Sequence, residues 1–458
     1  MIRLSAMNWG ILETVYLVIS FTVGFFVTLV IIPYIIRIMK RKGYTGTDIH
    51  KTAKTEVAES GGISIIFGIS ISSILLTIFF PDFFNEILIF VLTVVISGLI
   101  GFIDDRIKLR SRYKLFLTIL TGAMIFLANS VGFIQIESPT IPFLGKLRLN
   151  VIYPILAPLI VAVFTNTVNM LEGYNGEGSG TSIIALISLI ICAIIWDSAE
   201  ALLFTVISLA VLIPFFLYNK FPAKVFPGDV GTLSIGAIFA SIALIGSLEA
   251  AVFCALLIHI FNSFYVISSV KGFIESSEIL NDRSDTLLIE NDFIKASDQK
   301  SAALTLPRLI LAKGPMKEPD LVKNFYIISI ICGFFAILTT LLMNSTLNLI
   351  TITILTGFFG LITIFLLYRY PRIRGIVVLM VILIVIGYLY LVAIDLFIVP
   401  IDFIDIDIFG LIIPTNILIS LIIVIPGLLL WYYITIKYFW SAINKMTKKN
   451  YANVKLKN

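Results

Sequence analysis

Ile87-Leu-Ile-Phe-Val-Leu-Thr-Val-Val-Ile-Ser-Gly-Leu-Ile-Gly101-Phe-Ile-Asp104-Asp105-Arg-Ile-Lys-Leu-Arg110 reads as an apolar run that stops on two adjacent carboxylates. Arg106, Lys108, Arg110, Arg112 and Lys114 follow within the next nine positions. Ionisable groups at a membrane boundary are costly to desolvate, so they mark a site more often than they serve packing. The pair points to phosphate, a divalent metal, or both, because hard cations take oxygen ligands from one or two carboxylates plus substrate phosphates. The competing reading is a solvated loop whose aspartates balance the neighbouring bases.

The apolar character of that run repeats along the whole chain. Of 458 residues 59% are hydrophobic, and the mean hydropathy is +1.05, which excludes a soluble domain. A membrane-crossing helix needs about 20 apolar residues. On that basis thirteen spans are predicted: 12–36, 61–80, 87–103, 115–134, 151–168, 181–196, 201–218, 232–247, 249–270, 324–343, 347–367, 375–399 and 409–435. The first is too long for a removable signal peptide. With the N-terminus outside, the inside segments are 37–60, 104–114, 219–231, 271–323, 368–374 and the tail from 436. They hold 30 of the 33 Lys and Arg residues, leaving Arg3, Lys146 and Arg148 outside. That asymmetry obeys the positive-inside rule. The net charge of +5 thus describes a cytoplasmic face meeting anionic lipid and phosphorylated substrate, not a nucleic-acid binder. Cys192, Cys254 and Cys332 lie in separate spans and suggest neither disulfides nor a thiolate metal site.

Five polar clusters fall on the inner side of this topology, and their convergence is the argument for one site. They are 46–60 with Gly61-Gly62, the Asp104-Asp105 segment, 166–180, 226–232, and the 271–323 loop with Pro307-Arg308. Asn166 and Asn169 are three apart and share a helix face, and Asn175 follows in a turn with Gly173, Gly176, Gly178 and Gly180. These asparagines are either helix caps or carboxamide ligands to a metal, and the glycines let backbone approach a nucleotide closely. Asp229, between Gly228 and Gly231, is a helix N-cap or a second metal carboxylate. Lys114 and Arg308 either serve the site or snorkel to headgroups. His259 is expected to be a satisfied core polar group. His50 has no paired ligand spacing, so zinc is not expected.

Taken in order, the clusters resemble the polyprenyl-phosphate N-acetylhexosamine-1-phosphate transferases, closest to the archaeal and eukaryotic UDP-GlcNAc:dolichyl-phosphate GlcNAc-1-phosphotransferase branch. The resemblance rests on Asp48-Ile-His-Lys51, Glu59-Ser-Gly-Gly62, Gly101-Phe-Ile-Asp-Asp105 with Leu109-Arg110 and Lys114, Asn166-Thr-Val-Asn169-Met-Leu-Glu-Gly173-Tyr-Asn175-Gly176, and Lys224-Val-Phe226-Pro-Gly228-Asp229. Glu172-Gly-Tyr-Asn175-Gly stands where bacterial members carry Asp-Gly-x-Asp-Gly, which favours the dolichol-type branch. The resemblance implies an all-α polytopic fold with a ten-span catalytic domain over 1–345, including the 271–323 loop. Residues 346–458 would then be an extension of about three further spans.

For function it implies transfer of GlcNAc-1-phosphate from a UDP-sugar to a polyprenyl phosphate lipid with release of UMP, the first step of lipid-linked oligosaccharide synthesis for protein N-glycosylation. Inhibition by tunicamycin would follow. Alternatives are another UDP-N-acetylhexosamine, an undecaprenyl phosphate acceptor, or a transporter of lipid-linked sugars. By resemblance Asn169 and Asp229 bind the metal, Mg²⁺ with Mn²⁺ as the alternative. Asp104, Asp105 and Lys114 are catalytic. Asp48, Lys51, Glu59, Asn166, Gly173, Asn175, Phe226 and Arg308 bind substrate. The implied setting is an archaeal cell membrane with the site on the cytoplasmic face, or the endoplasmic reticulum in a eukaryote, with a homodimer left open. One departure stands out. Where the family carries a basic cluster before the loop proline, this chain has Ala302-Ala-Leu-Thr-Leu306, leaving Arg308, with Arg283 or Lys300 as substitutes.

Overall fold

The computed structural model describes residues 9–142, 145–146, 152–270, 284–299, 301–344, 349–397, 406–408, 411–413, 426 and 429–445. Ten helices make up the first part: α1 (Ile11–Arg41), α2 (Ile63–Phe79), α3 (Phe84–Ile107), α4 (Ser111–Ser130), α5 (Ile152–Leu171), α6 (Glu177–Trp196), α7 (Ala199–Asn219), α8 (Gly228–Leu244), α9 (Glu249–Ala255) and α10 (Leu257–Val270). The short α11 (Leu306–Leu311) precedes α12 (Glu318–Met343), α13 (Leu349–Arg369) and α14 (Arg374–Phe397), and 429–445 is helical. This is an all-α polytopic membrane protein.

Among the described residues seven helices are individually long and apolar enough to cross a bilayer, and the α9–α10 pair is so only when taken together, across a bend of 69°. α2, α8 and the stretches 353–369 and 374–387 are shorter apolar helices. Helices thus occupy the first twelve predicted spans, with one correction: 249–270 is not continuous but breaks at Leu256. The thirteenth, 409–435, begins in a strand pair, Ile406–Ile408 with Leu411–Ile413. Its residues 409–410, 414–425 and 427–428 lie outside the described residues, and the helix at its end runs on to 445.

The helices are inside-out relative to those of a soluble protein. α1 exposes Ile11, Leu12, Val18 and Phe26 and buries Ser20, Gly24 and Thr28 along one stripe. Lipid is as apolar as leucine, so close packing through small residues drives association instead of the hydrophobic effect. A Cβ on Gly24 would lie 2.1 Å from Ser72 Oγ, and one on Gly68 would lie 2.1 Å from Thr28 Oγ1. α8 is the axis of the bundle, buried at every residue from Val230 to Leu244. A second core joins Phe261 and Tyr265 of α10 to Ile376 and Met380 of α14 and to Trp431 and Phe439 of the terminal helix. Trp431 Nε1 donates to Leu379 O at 3.3 Å.

Outside the bundle, β1 (Thr45–Thr47) pairs antiparallel with β2 (Glu56–Ala58), Thr45 opposite Ala58. A three-stranded antiparallel sheet, Thr286–Ile289, Phe293–Ala296 and Met316–Lys317, shapes the loop before α12. The two β-structures meet where Asp292 Oδ1 accepts the Thr52 N–H at 2.8 Å.

Candidate active site

The site is assembled where helix ends meet. Residues 58–62 run beside 225–227: Phe226 N donates to Ala58 O at 2.8 Å, Gly61 N to Phe226 O at 2.9 Å and Gly62 N to Pro227 O at 3.0 Å. Gly228 then turns at φ +66° to start α8, a left-handed conformation open to glycine at no steric cost. Two backbone approaches require glycine there. A Cβ on Gly62 would sit 2.1 Å from Gly231 Cα, and one on Gly101 would sit 2.2 Å from Asp229 O.

The two adjacent aspartates have different jobs in this junction. Asp105 caps α8 from a neighbouring helix: its Oδ1 accepts the Asp229 N–H at 2.7 Å and its Oδ2 accepts Ser60 Oγ at 2.6 Å. A carboxylate at a helix N-terminus satisfies an orphan donor and complements the dipole. Arg106 supports the cap through Nη2 to Ser60 Oγ at 2.8 Å and lies over the Tyr44 ring, 3.4 Å from its centroid. Asp104 faces elsewhere. Its Oδ1 accepts the Leu109 N–H at 2.6 Å, and its Oδ2 pairs with Lys114 Nζ.

Lys114, in the first turn of α4, is only 3% exposed. Its Nζ also lies 2.6 Å from Asp229 Oδ2. The Asn169 carboxamide sits 3.1 Å from both Asp229 Oδ1 and Thr232 Oγ1; with its nitrogen toward those oxygens, its own oxygen is 3.3 Å from Lys114 Nζ. Asp104, Asp229 and Asn169 thus satisfy the three donors of one ammonium. Asn166 Nδ2 is held by Thr118 Oγ1 at 3.0 Å and Ala162 O at 2.8 Å, joining α4 to α5.

One wall of the cleft is polar and interlocked. Lys51 Nζ is 2.5 Å from Asp48 Oδ2, and Asn175 Nδ2 donates to that oxygen at 3.0 Å. His50 stacks on Tyr174 with ring centroids 4.3 Å apart, and its Nε2 is 3.2 Å from Gly173 O. Burial drops the imidazole to about 4, so it is neutral near pH 7. Burial pushes the Glu172 carboxyl up to about 8, while its Oε2 accepts the Gly178 N–H at 2.8 Å. Glu59 is raised by burial and by the nearby Asp105.

These groups line a cleft of about 390 Å³, within the range of small-molecule sites. Eleven of the thirteen residues named from sequence line it. Lys51 stands behind Asp48. Arg308 is placed elsewhere: fully buried, its guanidinium donates to Ser297 O twice and to Gln299, Ala302 and Ala303 O. All five of its N–H donors close the turn at 297–303. Arg283 and Lys300 lie outside the described residues.

Some site residues were missed. Thr232 and Ser60 lie within the motifs but are small hydroxyl residues with no chemical signal of their own in the sequence. Glu318, 2% exposed, accepts the Asn175 N–H at 2.7 Å across 143 positions, and nothing in its local sequence signals that. His259 corrects its expectation, since neither ring nitrogen has a partner among the described residues.

Among the described residues no three His, Cys, Asp or Glu side chains form a ready cage for a metal. Asp229 and Asn169 nevertheless offer a carboxylate and a carboxamide oxygen that converge on the position of the Lys114 ammonium at the cleft. That hard-oxygen pair fits a cation completed by substrate phosphates and water.

Residues 87–247 match the family model described as glycosyl transferase family 4. Among curated relatives, "Putative glycosyltransferase MJ1113" of Methanocaldococcus jannaschii is 32% identical over 301 residues, covering 65% of this chain and 88% of the relative. "Putative UDP-N-acetylglucosamine--dolichyl-phosphate N-acetylglucosaminephosphotransferase" of Sulfolobus acidocaldarius is 35% identical over 244 residues, 52% of this chain and 73% of the relative. A phospho-N-acetylmuramoyl-pentapeptide-transferase of Streptococcus pneumoniae is 28% identical over 264 residues, 55% and 80% respectively.

Proposed function

This chain belongs to glycosyl transferase family 4, and from that premise we propose that it transfers GlcNAc-1-phosphate from UDP-GlcNAc to a dolichyl-type polyprenyl phosphate. UMP is the other product. The observation that carries the reading is the buried Lys114 ammonium, shared by Asp104, Asp229 and Asn169 on the floor of a cleft formed by helix ends. Such a site can set positive charge against a pyrophosphate.

In the proposed reaction a lipid phosphate oxygen attacks the β-phosphorus of the UDP-sugar. A P–O bond forms there, and the bond to the α–β bridging oxygen breaks. UMP leaves with the electron pair. Asn169 and Asp229 would hold the divalent cation, Mg²⁺ or Mn²⁺, whose chemistry when bound is charge neutralisation at the pyrophosphate. Lys114 adds positive charge at the phosphates. A lipid phosphate is largely ionised near neutral pH, so Asp104 need only orient the nucleophile or take a residual proton. Asp105 acts at one remove, holding the first turn of α8 so that Asp229 faces the cleft. Phe226 offers its ring to uracil, and Asn175 contacts the nucleotide. The basic inner segments support a cytoplasmic orientation for this end of the bundle.

The Sulfolobus relative's name supports GlcNAc and dolichyl phosphate, whereas the streptococcal one names a muramoyl-pentapeptide. Purified protein with Mg²⁺, dolichyl or undecaprenyl phosphate and a panel of radiolabelled UDP-sugars separates them. Lipid-extractable label from UDP-GlcNAc with matching UMP release is the expected result. Label only from a UDP-muramoyl-peptide would move the protein to cell-wall precursor synthesis. No transfer from any UDP-sugar would refute the enzyme reading.

A further inference from the structure

Glu318, the first residue of α12, is buried and does not line the cleft. Its carboxylate grips one residue that does. Oε1 accepts the backbone N–H of Asn175 at 2.7 Å, and Oε2 lies 3.5 Å from Asn175 Nδ2. Asp48 Oδ2 accepts the same Nδ2 at 3.0 Å. A carboxamide has two donors on nitrogen and only acceptor capacity on oxygen. With Asp48 Oδ2, itself paired with Lys51, on its nitrogen side, a flip would bring Oδ1 against an oxygen that has no proton to give. The amide therefore has one permitted orientation, and no described residue donates to Oδ1.

We propose that Glu318 is a positioning residue that, with Asp48, locks Asn175 so that it presents an acceptor oxygen to the base of the nucleotide. This inference rests on the UDP-sugar reading above. Uracil carries an N3–H donor, which such an oxygen accepts. Cytosine carries a lone pair at N3, which the oxygen repels unless the amide turns over. Glu318 thereby contributes to uracil-over-cytosine selection without touching the ligand. Sites built around a fixed hydrogen-bonding group reject the mismatched analogue far more strongly than apolar pockets do.

The test uses full-length protein in detergent with Mg²⁺, measuring UMP and CMP binding together with KM and kcat for UDP-GlcNAc. The wild type should bind UMP at least about tenfold tighter than CMP. Glu318→Ala should cut that preference about tenfold, raise KM about tenfold and leave kcat within about threefold. Glu318→Gln keeps an oxygen for the Asn175 N–H but adds an amide donor that tolerates the flip, so a smaller drop, about threefold, is expected. It also guards against an alanine variant that fails to fold. Equal weakening of UMP and CMP, or an unchanged preference in folded Glu318→Gln, overturns the positioning role. A wild type that does not prefer UMP overturns the nucleotide reading on which the role depends.

Discussion

Lys114 and Arg308 are both almost wholly buried, at 3% and 0% exposure, yet their surroundings are opposite in kind. Lys114 is surrounded by side chains from three other helices: Asp104 of α3, Asn169 of α5 and Asp229 of α8. Arg308 gives all its N–H donors to backbone carbonyls of its own loop, with Asp285 and Asp298 acting on it only through space. Carbonyls are neutral and local, so Arg308 closes a turn. Carboxylates drawn together from distant helices repel one another without a cation, so Lys114 holds a charge cluster that an incoming phosphate or cation can rearrange. The partner type, not burial, is what distinguishes the two bases.

The largest effect expected from this contrast is on catalysis at the first region. Lys114→Met or Asp229→Ala should lower UMP release by about a thousandfold, in line with losing a charge-stabilising group. Either variant keeping the wild-type rate and Mg²⁺ dependence would break the comparison. Arg308→Ala should do the reverse. It should cost about 3 kcal/mol of stability by orphaning the turn carbonyls, while the rate per folded molecule stays within about tenfold. Thermal unfolding paired with initial rates separates the two patterns; a stable but inactive Arg308→Ala would return Arg308 to the site.

Asp105 sharpens the contrast, because it is a carboxylate acting through backbone. Asp105→Asn keeps an acceptor for the α8 N-terminus and should lose about 1 kcal/mol of capping, whereas Asp104→Asn should cost rate more than stability. Equal losses of rate from both would show that the two aspartates share one role. The smallest effect is in pH. Glu172 is held protonated to about 8 in the folded protein, whereas an unfolded glutamate ionises near about 4.3. Between those values the unfolded chain binds fewer protons, so this contribution to stability is present at low pH and is lost as pH rises toward 8. Glu172→Gln should flatten the slope, seen as a smaller drop in melting temperature from pH 5 to pH 8.

Much of the fold was legible because its signals are local. Twelve apolar runs became helices at close to their predicted limits. The exceptions were the break at Leu256 and the strand pair at 406–413. An apolar run reports burial in lipid but not where the chain bends inside it. The candidate cleft was legible as a juxtaposition, with eleven of the thirteen named residues lining it. Its wiring was not. Asp104 and Asp105 are identical neighbours, and only the placement of α8 and α4 separates a helix cap from a lysine partner.

Sequence by itself determined the solvent, the helical class and the family motifs, because apolar content accumulates residue by residue along the chain. Tertiary structure alone decided which polar atoms meet. Lys114 reaches Asp229 across 115 positions and Glu318 reaches Asn175 across 143. A hydrogen bond depends on angstrom-scale geometry between groups that the linear order holds far apart.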